Sequence, residues 1–338
     1  MEDDFVARGS DMTRDPPLMV VALGGNAISR AGDEPSVAAQ FARLRATVDH
    51  LLPVIASGDR RMVLTHGNGP QVGNILLRSD LAAEAGELPP LPVDSAVADT
   101  QGAMGYMIQQ CLANALWESG INIPVATVIT QVLVDENDPA FATPTKPIGR
   151  FYSDGEIEDL ERHGWSMTED PQGRGWRRVI ASPAPKEIVE EPVIRELVSA
   201  GVLVVACGGG GIPVIAGRSG ALEGAEAVID KDHASSLLAR SLGATALVIL
   251  TDVERVFLDY GKPTERALGR VGAEELQALA GAGHFPEGSM GPKIAAALSF
   301  VEGKERRAVI TSSECLEDAL AGRTGTHVIA GAAATRVS

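Results

Sequence analysis

Two glycine-rich turns, each directly after a short apolar run, most constrain how this chain can fold. Residues 24–26 (Gly-Gly-Asn) follow the apolar run 18–23, and residues 67–69 (Gly-Asn-Gly) follow the run 62–65. A glycine turn between a strand and a helix leaves backbone N–H groups at the helix start that can bind an anion. One predicted helix and strand separate the turns, so neighbouring parallel strands would bring them side by side. The pair therefore predicts a phosphate site at one edge of a parallel sheet.

Apolar runs alternate with helical periodicity along most of the chain. Strands are predicted at residues 18–23, 62–65, 125–129, 202–207, 246–251, 307–311 and 326–329, and helices at residues 35–57, from 70 onward, 100–118, 185–200, 232–242, 290–301 and 315–321. Continuously apolar strands are typical of a parallel sheet covered by helices on both faces. The pattern predicts an α/β fold, a three-layer sandwich around an open, mainly parallel sheet.

One polar, turn-rich stretch interrupts this alternation. Residues 132–179 contain five of the 13 aromatic residues of the chain. A long segment with its own aromatic residues is more typical of a small packed unit or lid than of a disordered loop. We therefore expect a small protruding insertion outside the main sheet.

Composition narrows the possible partners and compartment. The formal net charge of −16 repels nucleic acid and anionic membranes, so neither is expected as a partner. Three cysteines in separate apolar runs are typical of reduced core thiols in a cytoplasmic protein. Residues 1–17 are acidic and poor in apolar side chains, which predicts a disordered leader, native or left from expression.

Two lysines stand where a predicted helix begins. Lys231 lies between Asp230 and Asp232, and Lys293 lies in the segment 289–293. A cation at the positive end of a helix is unfavourable unless an anion or a carboxylate compensates it. The two lysines together suggest one bound polyphosphate, although the aspartates alone would be ordinary helix caps.

Two further segments permit more than one interpretation. Four consecutive glycines, residues 208–211, imply either close approach of a ligand or an extreme turn, and we favour the ligand. His66 could be a catalytic base, but a histidine at a strand end more often bonds neighbouring backbone. Residues 66–73 loosely match a dinucleotide fingerprint, although the third glycine is misplaced, so a nicotinamide dehydrogenase is a weaker hypothesis.

Seven segments, in chain order from about residue 18 to 329, strongly resemble the motifs of carbamate kinases in the amino acid kinase family. They are residues 24–26 (GGN), 65–73 (THGNGPQVG), 101–102 (QG) with 105–106 (GY), 208–213 (GGGGIP), 229–232 (IDKD), 250–253 (LTDV) and 290–293 (MGPK). The resemblance implies the amino acid kinase fold, with about eight strands in a mainly parallel sheet, and a homodimer. It also implies a carbamate lobe at 18–220 that contains the lid 132–179, a nucleotide lobe at 221–330 and a tail at 331–338.

The implied reaction is phosphoryl transfer between carbamoyl phosphate and ADP, which gives ATP and carbamate. Mg²⁺ would arrive with ATP or ADP, and no protein ligand for it is identified. The implied pathway is the breakdown of arginine or of a purine derivative.

The resemblance also assigns residues to roles. The catalytic set is Lys146, Lys231, Asp232 and Lys293; the phosphate and substrate set is Gly24, Gly25, Asn26, Gly67, Asn68, Gly69, Gly209 and Gly210; the nucleotide set is Thr251, Asp252, Phe257, Tyr260, Pro263 and Met290. Asp232 would hold both helix-start lysines. Lys146, expected to face solvent in the insertion, would replace a lysine that many relatives carry at the position of Ala22.

Two alternatives stay open beside this assignment. A sibling kinase of the same fold could act on another small carboxylate or phosphate, because a glycine-lined pocket indicates a small substrate and not its identity. A non-catalytic nucleotide sensor could keep the same pocket, although the joint presence of Lys146, Lys231, Asp232 and Lys293 argues against it. Asp99 and Thr100 depart from the residue pair expected before residues 101–102.

Overall fold

A computed structural model describes residues 15–28, 34, 36–162, 164–170, 173–286, 288–303, 305–331 and 336–337. Its strands are β1 Leu18–Leu23, β2 Arg61–His66, β3 Val125–Thr127, β4 Gln131–Leu133, β5 Lys146–Tyr152, β6 Ser166–Glu169, β7 Trp176–Ile180, β8 Glu187–Ile188, β9 Leu203–Val205, β10 Ile212–Ala216, β11 Leu222–Gly224, β12 Ala246–Thr251, β13 Val256–Leu258, β14 Arg266–Gly272, β15 Arg307–Ser312, β16 Thr326–Ile329 and β17 Arg336–Val337.

The helices alternate with these strands. They are α1 Val37–Ala56, α2 Gly69–Glu84, α3 Val93–Glu118, α4 Pro139–Ala142, α5 Ile157–Arg162, α6 Glu191–Ser199, α7 Lys231–Ser241, α8 Ala273–Gly281, α9 Met290–Val301 and α10 Leu316–Leu320, with short 3-10 turns at Gly25–Ala27, Asp154–Glu156 and Gly208–Gly210. Within these ranges, no helix is long and apolar enough to cross a membrane.

The main sheet has the strand order β13-β14-β16-β15-β12-β1-β2-β9-β3, and β17 pairs with β14. The central strands β15, β12, β1, β2, β9 and β3 run parallel to one another, whereas β13, β17 and the β15–β16 pair add antiparallel contacts at one end. Seven of these strands correspond to predicted strands, and β13, β14 and β17 extend the sheet. The predicted α/β class with a mainly parallel sheet is confirmed.

The three layers follow from the alternation of side chains along each strand. In β1, Met19 and Val21 pack into one buried cluster, and Val20 and Ala22 pack into the other. Successive side chains of a strand point to opposite faces, so a strand that is apolar at every position needs a helical layer on both sides. This is why β1 is buried throughout its length.

The insertion has its own sheet. Strands β5, β7 and β6 pair antiparallel, while β4 joins β10, β11 and β8 in a separate four-stranded sheet. The separate antiparallel sheet therefore begins at β5. The proposed lobe boundaries remain predictions, and residues 1–14, 332–335 and 338 of the predicted leader and tail lie outside the described residues.

Some element bounds differ from the expectation for local reasons. Helix α3 begins at Val93, directly after Pro92, and not near residue 100, because a proline is well tolerated just before a helix. Helix α6 begins at Glu191 instead of near residue 185, since Glu187–Ile188 pairs with β4. Strand β14 and helix α8 were not predicted, because the arginines and glycines of β14 obscure its apolar positions.

Candidate active site

A cleft of about 540 Å³ opens where β1, β2 and β12 end. Gly24 follows β1, Gly67 follows β2, and Thr251 ends β12, and all three line the cleft. The carboxyl ends of parallel strands are where α/β sheets usually bind ligands. The two predicted glycine turns therefore meet at one cavity.

The N-terminus of α7 carries the charged part of this cleft. The Asp230 side chain accepts hydrogen bonds from the backbone N–H of Asp232 at 2.9 Å and of His233 at 3.3 Å. An aspartate at this position satisfies free N–H groups and interacts favourably with the helix dipole. The cap starts the helix so that Lys231 and Asp232, the next two residues, line the cleft.

Asp232 lies between two lysines. Lys231 Nζ donates to Asp232 Oδ1 at 2.5 Å, and Lys293 Nζ, from the first turn of α9, donates to Oδ2 at 2.9 Å. Burial alone would raise the pKa of Asp232, but the two lysine charges lower it below its ordinary value. Burial also lowers the pKa of Lys231, against the opposite effect of Asp232. Two cations thus share one carboxylate, and the cluster keeps a net positive charge.

Lys146 enters the same cleft from β5 of the insertion. Its Nζ donates to Asp230 Oδ2 at 2.7 Å, and its side chain is 30% exposed. Burial would raise the pKa of Asp230, but the charge and hydrogen bond of Lys146 lower it. The expectation that Lys146 faces solvent is wrong, because this ion pair holds it over the start of α7. The structure thus brings Lys146, Lys231, Asp232 and Lys293 into one cleft.

The two glycine turns that predicted a phosphate site both line the cleft. Gly24, Gly25, Gly67 and Gly69 all border it. A Cβ on Gly24 would lie 2.6 Å from the Leu250 carbonyl oxygen, so this turn also needs glycine in order to pack against β12. The side chain of Asn26 lies outside the described residues.

The four-glycine segment packs against protein. A Cβ on Gly209 would lie 2.3 Å from Asn68 Nδ2, and one on Gly210 would lie 2.3 Å from the Ile229 carbonyl oxygen. Asn68 is buried and donates to Thr100 Oγ1 at 3.0 Å. The Gly210 N–H donates to the Cys207 carbonyl, so it is engaged within the protein. The close approach expected of a ligand is therefore made here by side chains and backbone, and direct phosphate contact by Gly209, Gly210 or Asn68 stays a prediction.

The other end of the cleft is suited to a nucleotide. Thr251, Asp252, Phe257, Tyr260 and Met290 line it, and the rings of Phe257 and Tyr260 lie 5.9 Å apart between centroids. Apolar and aromatic walls of this kind can enclose a planar base. Pro263 does not belong to the lining.

Several functional candidates escaped the sequence analysis. Phe285, Pro286 and Ser313 also line the cleft, the first two from the segment after α8 and the third from the residue after β15. No residue pattern marks them, because their position depends on how α8 and α9 pack on the sheet. The sequence indicates Asp230 only as a helix cap, because Lys146, with which it pairs, lies far away in the chain.

His66 is buried beside the cleft. Its Nδ1–H donates to the Gly67 carbonyl at 2.9 Å, which confirms the expected bond to neighbouring backbone. Burial lowers the pKa of His66 from 6.5 to about 4, and Lys231 adds to this effect. The side chain is therefore neutral at physiological pH.

No protein-built metal centre is evident in the part of the chain that the structure describes. There, no three or more His, Cys, Asp or Glu side chains are grouped so as to hold a metal ion. Asp230 and Asp232, the carboxylates deepest in the charged part of the cleft, already face lysines.

Comparisons with known proteins agree with one another. The sequence model of the amino acid kinase family matches residues 17–312. The chain is 49% identical to carbamate kinase of Thermococcus kodakarensis over 92% of this chain and 98% of that protein, and 49% identical to a carbamate kinase-like protein of Escherichia coli with the same coverage. Carbamate kinase from Giardia lamblia bound to AMP-PNP matches with a TM-score of 0.87 and 42% identity, covering 93% of this chain and 99% of that one.

Acidification should destabilise the fold through His66. Between pH 6.5 and 4 the unfolded chain binds a proton that the buried, neutral imidazole does not, so stability present above pH 6.5 is lost as the pH falls, by about 3 kcal/mol in total. Urea unfolding at pH 7, 5.5 and 4.5 measures this slope. A His66→Gln variant should have a flatter profile, and a His50→Gln control should keep the wild-type slope; equal slopes in wild type and His66→Gln would contradict the assignment.

Proposed function

The chain belongs to the amino acid kinase family, among its carbamate kinases, and we propose that its cleft transfers a phosphoryl group reversibly between carbamoyl phosphate and ADP, giving ATP and carbamate. The observation that carries this proposal is the arrangement of Lys146, Lys231 and Lys293 around two glycine turns in one cleft. Such a cleft can bind a small, highly charged group next to an apolar wall that suits a nucleotide base.

Phosphoryl transfer requires little covalent chemistry from the protein. The reacting oxygens must be held in line, and the charge on the transferred group must be neutralised. Lys231 and Lys293 supply that charge from largely buried positions, where it acts more strongly than in water. Asp232 holds both ammonium groups and so orients them before substrate binds.

Mg²⁺ fits this proposal as a companion of the nucleotide. Magnesium commonly binds substrate phosphates with one or two carboxylates and keeps several waters, so a cleft without a protein ligand cage suits it. When bound, the ion would neutralise charge on the nucleotide phosphates. Asp252, which lines the cleft, would be the carboxylate available to the ion at the nucleotide end.

Lys146 would connect the insertion to the chemistry. Its pairing with Asp230 places its ammonium group beside the N-terminus of α7, where the transferred phosphoryl group would bind. An arriving phosphate would compete with Asp230 for this lysine. The insertion would then act as a lid that contributes a charge only when it covers the cleft.

The remaining expectations concern assembly and context. A homodimer is supported by exposed aromatic surface on α3, where Tyr106 and Trp117 are 57% and 80% exposed, since a second copy could cover it. Sedimentation of the purified protein as a single chain would argue against this assembly.

A cytoplasmic role in arginine breakdown would be tested by the arginine-dependent growth of a deletion strain.

A coupled assay tests the central proposal. We expect ATP to form from Mg-ADP and carbamoyl phosphate, and to form much more slowly with acetyl phosphate or acetylglutamyl phosphate. Preference for either rival would indicate a sibling kinase. Folded protein that binds ADP but makes no ATP from any donor would indicate a nucleotide sensor.

Replacing either helix-start lysine should damage turnover more than binding. Lys231→Ala and Lys293→Ala should each lower kcat by about 10² to 10³ with a smaller change in KM, because their charge is needed most as the phosphoryl group detaches. Lys186→Ala, at an exposed lysine paired with Asp135, is the matched control and should retain activity. A variant with unchanged kcat would remove that lysine from the mechanism.

Lys146→Ala should separate catalysis from stability. We expect kcat with carbamoyl phosphate to fall by about 10² or more, while ADP affinity stays nearly intact. Loss of the lysine also leaves the partly buried Asp230 unpaired, so stability should fall by roughly 1–3 kcal/mol.

The double variant Lys146→Ala/Asp230→Asn is the control for this effect. It should recover much of the lost stability, because asparagine can still cap α7, but it should not recover turnover. Near-normal kcat/KM in Lys146→Ala would mean that the lysine serves only the ion pair.

A further inference from the structure

We infer that Gly73, a helical residue outside the cleft, positions Lys146 by allowing β5 of the insertion to pack directly against α2. The seat is this contact of Ile148 and Gly149 in β5 with Val72, Gly73 and Leu76 in α2. The inference rests on the proposed function, in which Lys146 contacts the phosphoryl group. Gly73 would act through Lys146 and would not itself contact either substrate.

The contact between α2 and β5 leaves no room for a side chain at residue 73. A Cβ built on Gly73 would lie 2.8 Å from Gly149 Cα and 2.9 Å from Gly149 N. Both are backbone atoms, so no rotation of a side chain can relieve the overlap. Any larger residue at position 73 must therefore push β5 away from α2.

Neighbouring residues make the same seat apolar and tight. Ile148, in β5, is buried in one cluster with Val72 and Leu76 of α2. Its side chain and the Gly149 backbone thus pack on successive positions of one helix face. The seat fixes both the distance of β5 from α2 and the position of β5 along that helix, which a loop alone could not do.

Both elements that form the seat begin close to the cleft. Helix α2 begins at Gly69, which lines the cleft, and Gly73 lies about one turn further on. Strand β5 begins at Lys146, three residues before Gly149, or about 10 Å along an extended strand. Over so short a distance, a displacement at the seat moves the lysine backbone with it.

The size of the displacement makes a functional effect measurable. Contacts of 2.8 Å must open by more than half an ångström to reach an ordinary distance of 3.4 Å. Misplacement of a catalytic group by about 1 Å can lower a rate by 10²-fold. A shifted β5 would leave the nucleotide end of the cleft unchanged, because that end is built from β12, β13 and the start of α9.

The test is Gly73→Ala against Gly102→Ala. Gly102 is also helical, in α3, and a Cβ there would meet no atom within 4 Å. We expect Gly73→Ala to lower kcat with carbamoyl phosphate by about tenfold or more and to leave ADP affinity within about twofold, whereas Gly102→Ala stays at wild-type activity. Wild-type kcat in folded Gly73→Ala overturns the inference.

A double-mutant cycle distinguishes positioning from general damage. In a Lys146→Ala background, Gly73→Ala should change kcat by less than about twofold, since the lysine it positions is absent. An equal loss in both backgrounds would show that Gly73 acts on the fold in general and would overturn the inference. If Gly73→Ala does not fold, Ile148→Ala, which loosens the same seat without an overlap, replaces it in the same cycle with the same two readings.

The two proposals fail in different ways. Wild-type protein that makes no ATP from carbamoyl phosphate overturns the proposed function and the premise of this inference together. Wild-type protein that is active, with a Gly73→Ala variant equally active, overturns the inference alone.

Discussion

The buried carboxylate of Asp232 is the interaction on which the charged cleft depends. Lys231 and Lys293 stand at the starts of α7 and α9, where helix dipoles oppose a positive charge, and both are largely removed from water. One carboxylate between them offsets part of that cost and joins the two helices at their N-termini. Because it balances only one of two cations, the remaining charge faces the cleft, where an anion is the natural partner.

The N-terminus of α7 extends this arrangement to the insertion. Asp230 caps the helix and also binds Lys146, so a single residue links the helix to the separate sheet of β5, β6 and β7. The second link is apolar and lies on α2. The insertion is thus held by one polar and one packed contact. Under the proposed function, phosphate would replace the polar contact and would not reach the packed one, so the lysine would change partner without the strand losing its seat.

Periodicity predicted the fold where strands are apolar on both faces and helices show one apolar face, as in β1, β12 and α9. It missed β14 because its alternating polar positions conceal a buried face. In the site, Lys231, Asp232 and Lys293 were recognisable because their charges conflict with their position at helix starts. The Lys146–Asp230 pair was not, since the contact joins residues 84 positions apart and depends on tertiary packing. The glycines at 208–211 indicated close approach correctly, but composition could not show that Asn68 and Ile229 lie against Gly209 and Gly210.

The overall charge of the chain determines how such a cleft can select its ligands. A net charge of −16 repels polyanions at long range, whereas desolvated lysines attract them at contact. Salt at physiological strength screens surface charges beyond about 8 Å but acts much less on partly buried pairs. Binding therefore depends on short-range fit to the lysines and glycine turns and gains little from electrostatic steering. A site of this kind favours a small anion that can enter fully between α7, α9 and β5 over a larger polyanion whose charges would remain at the negative surface.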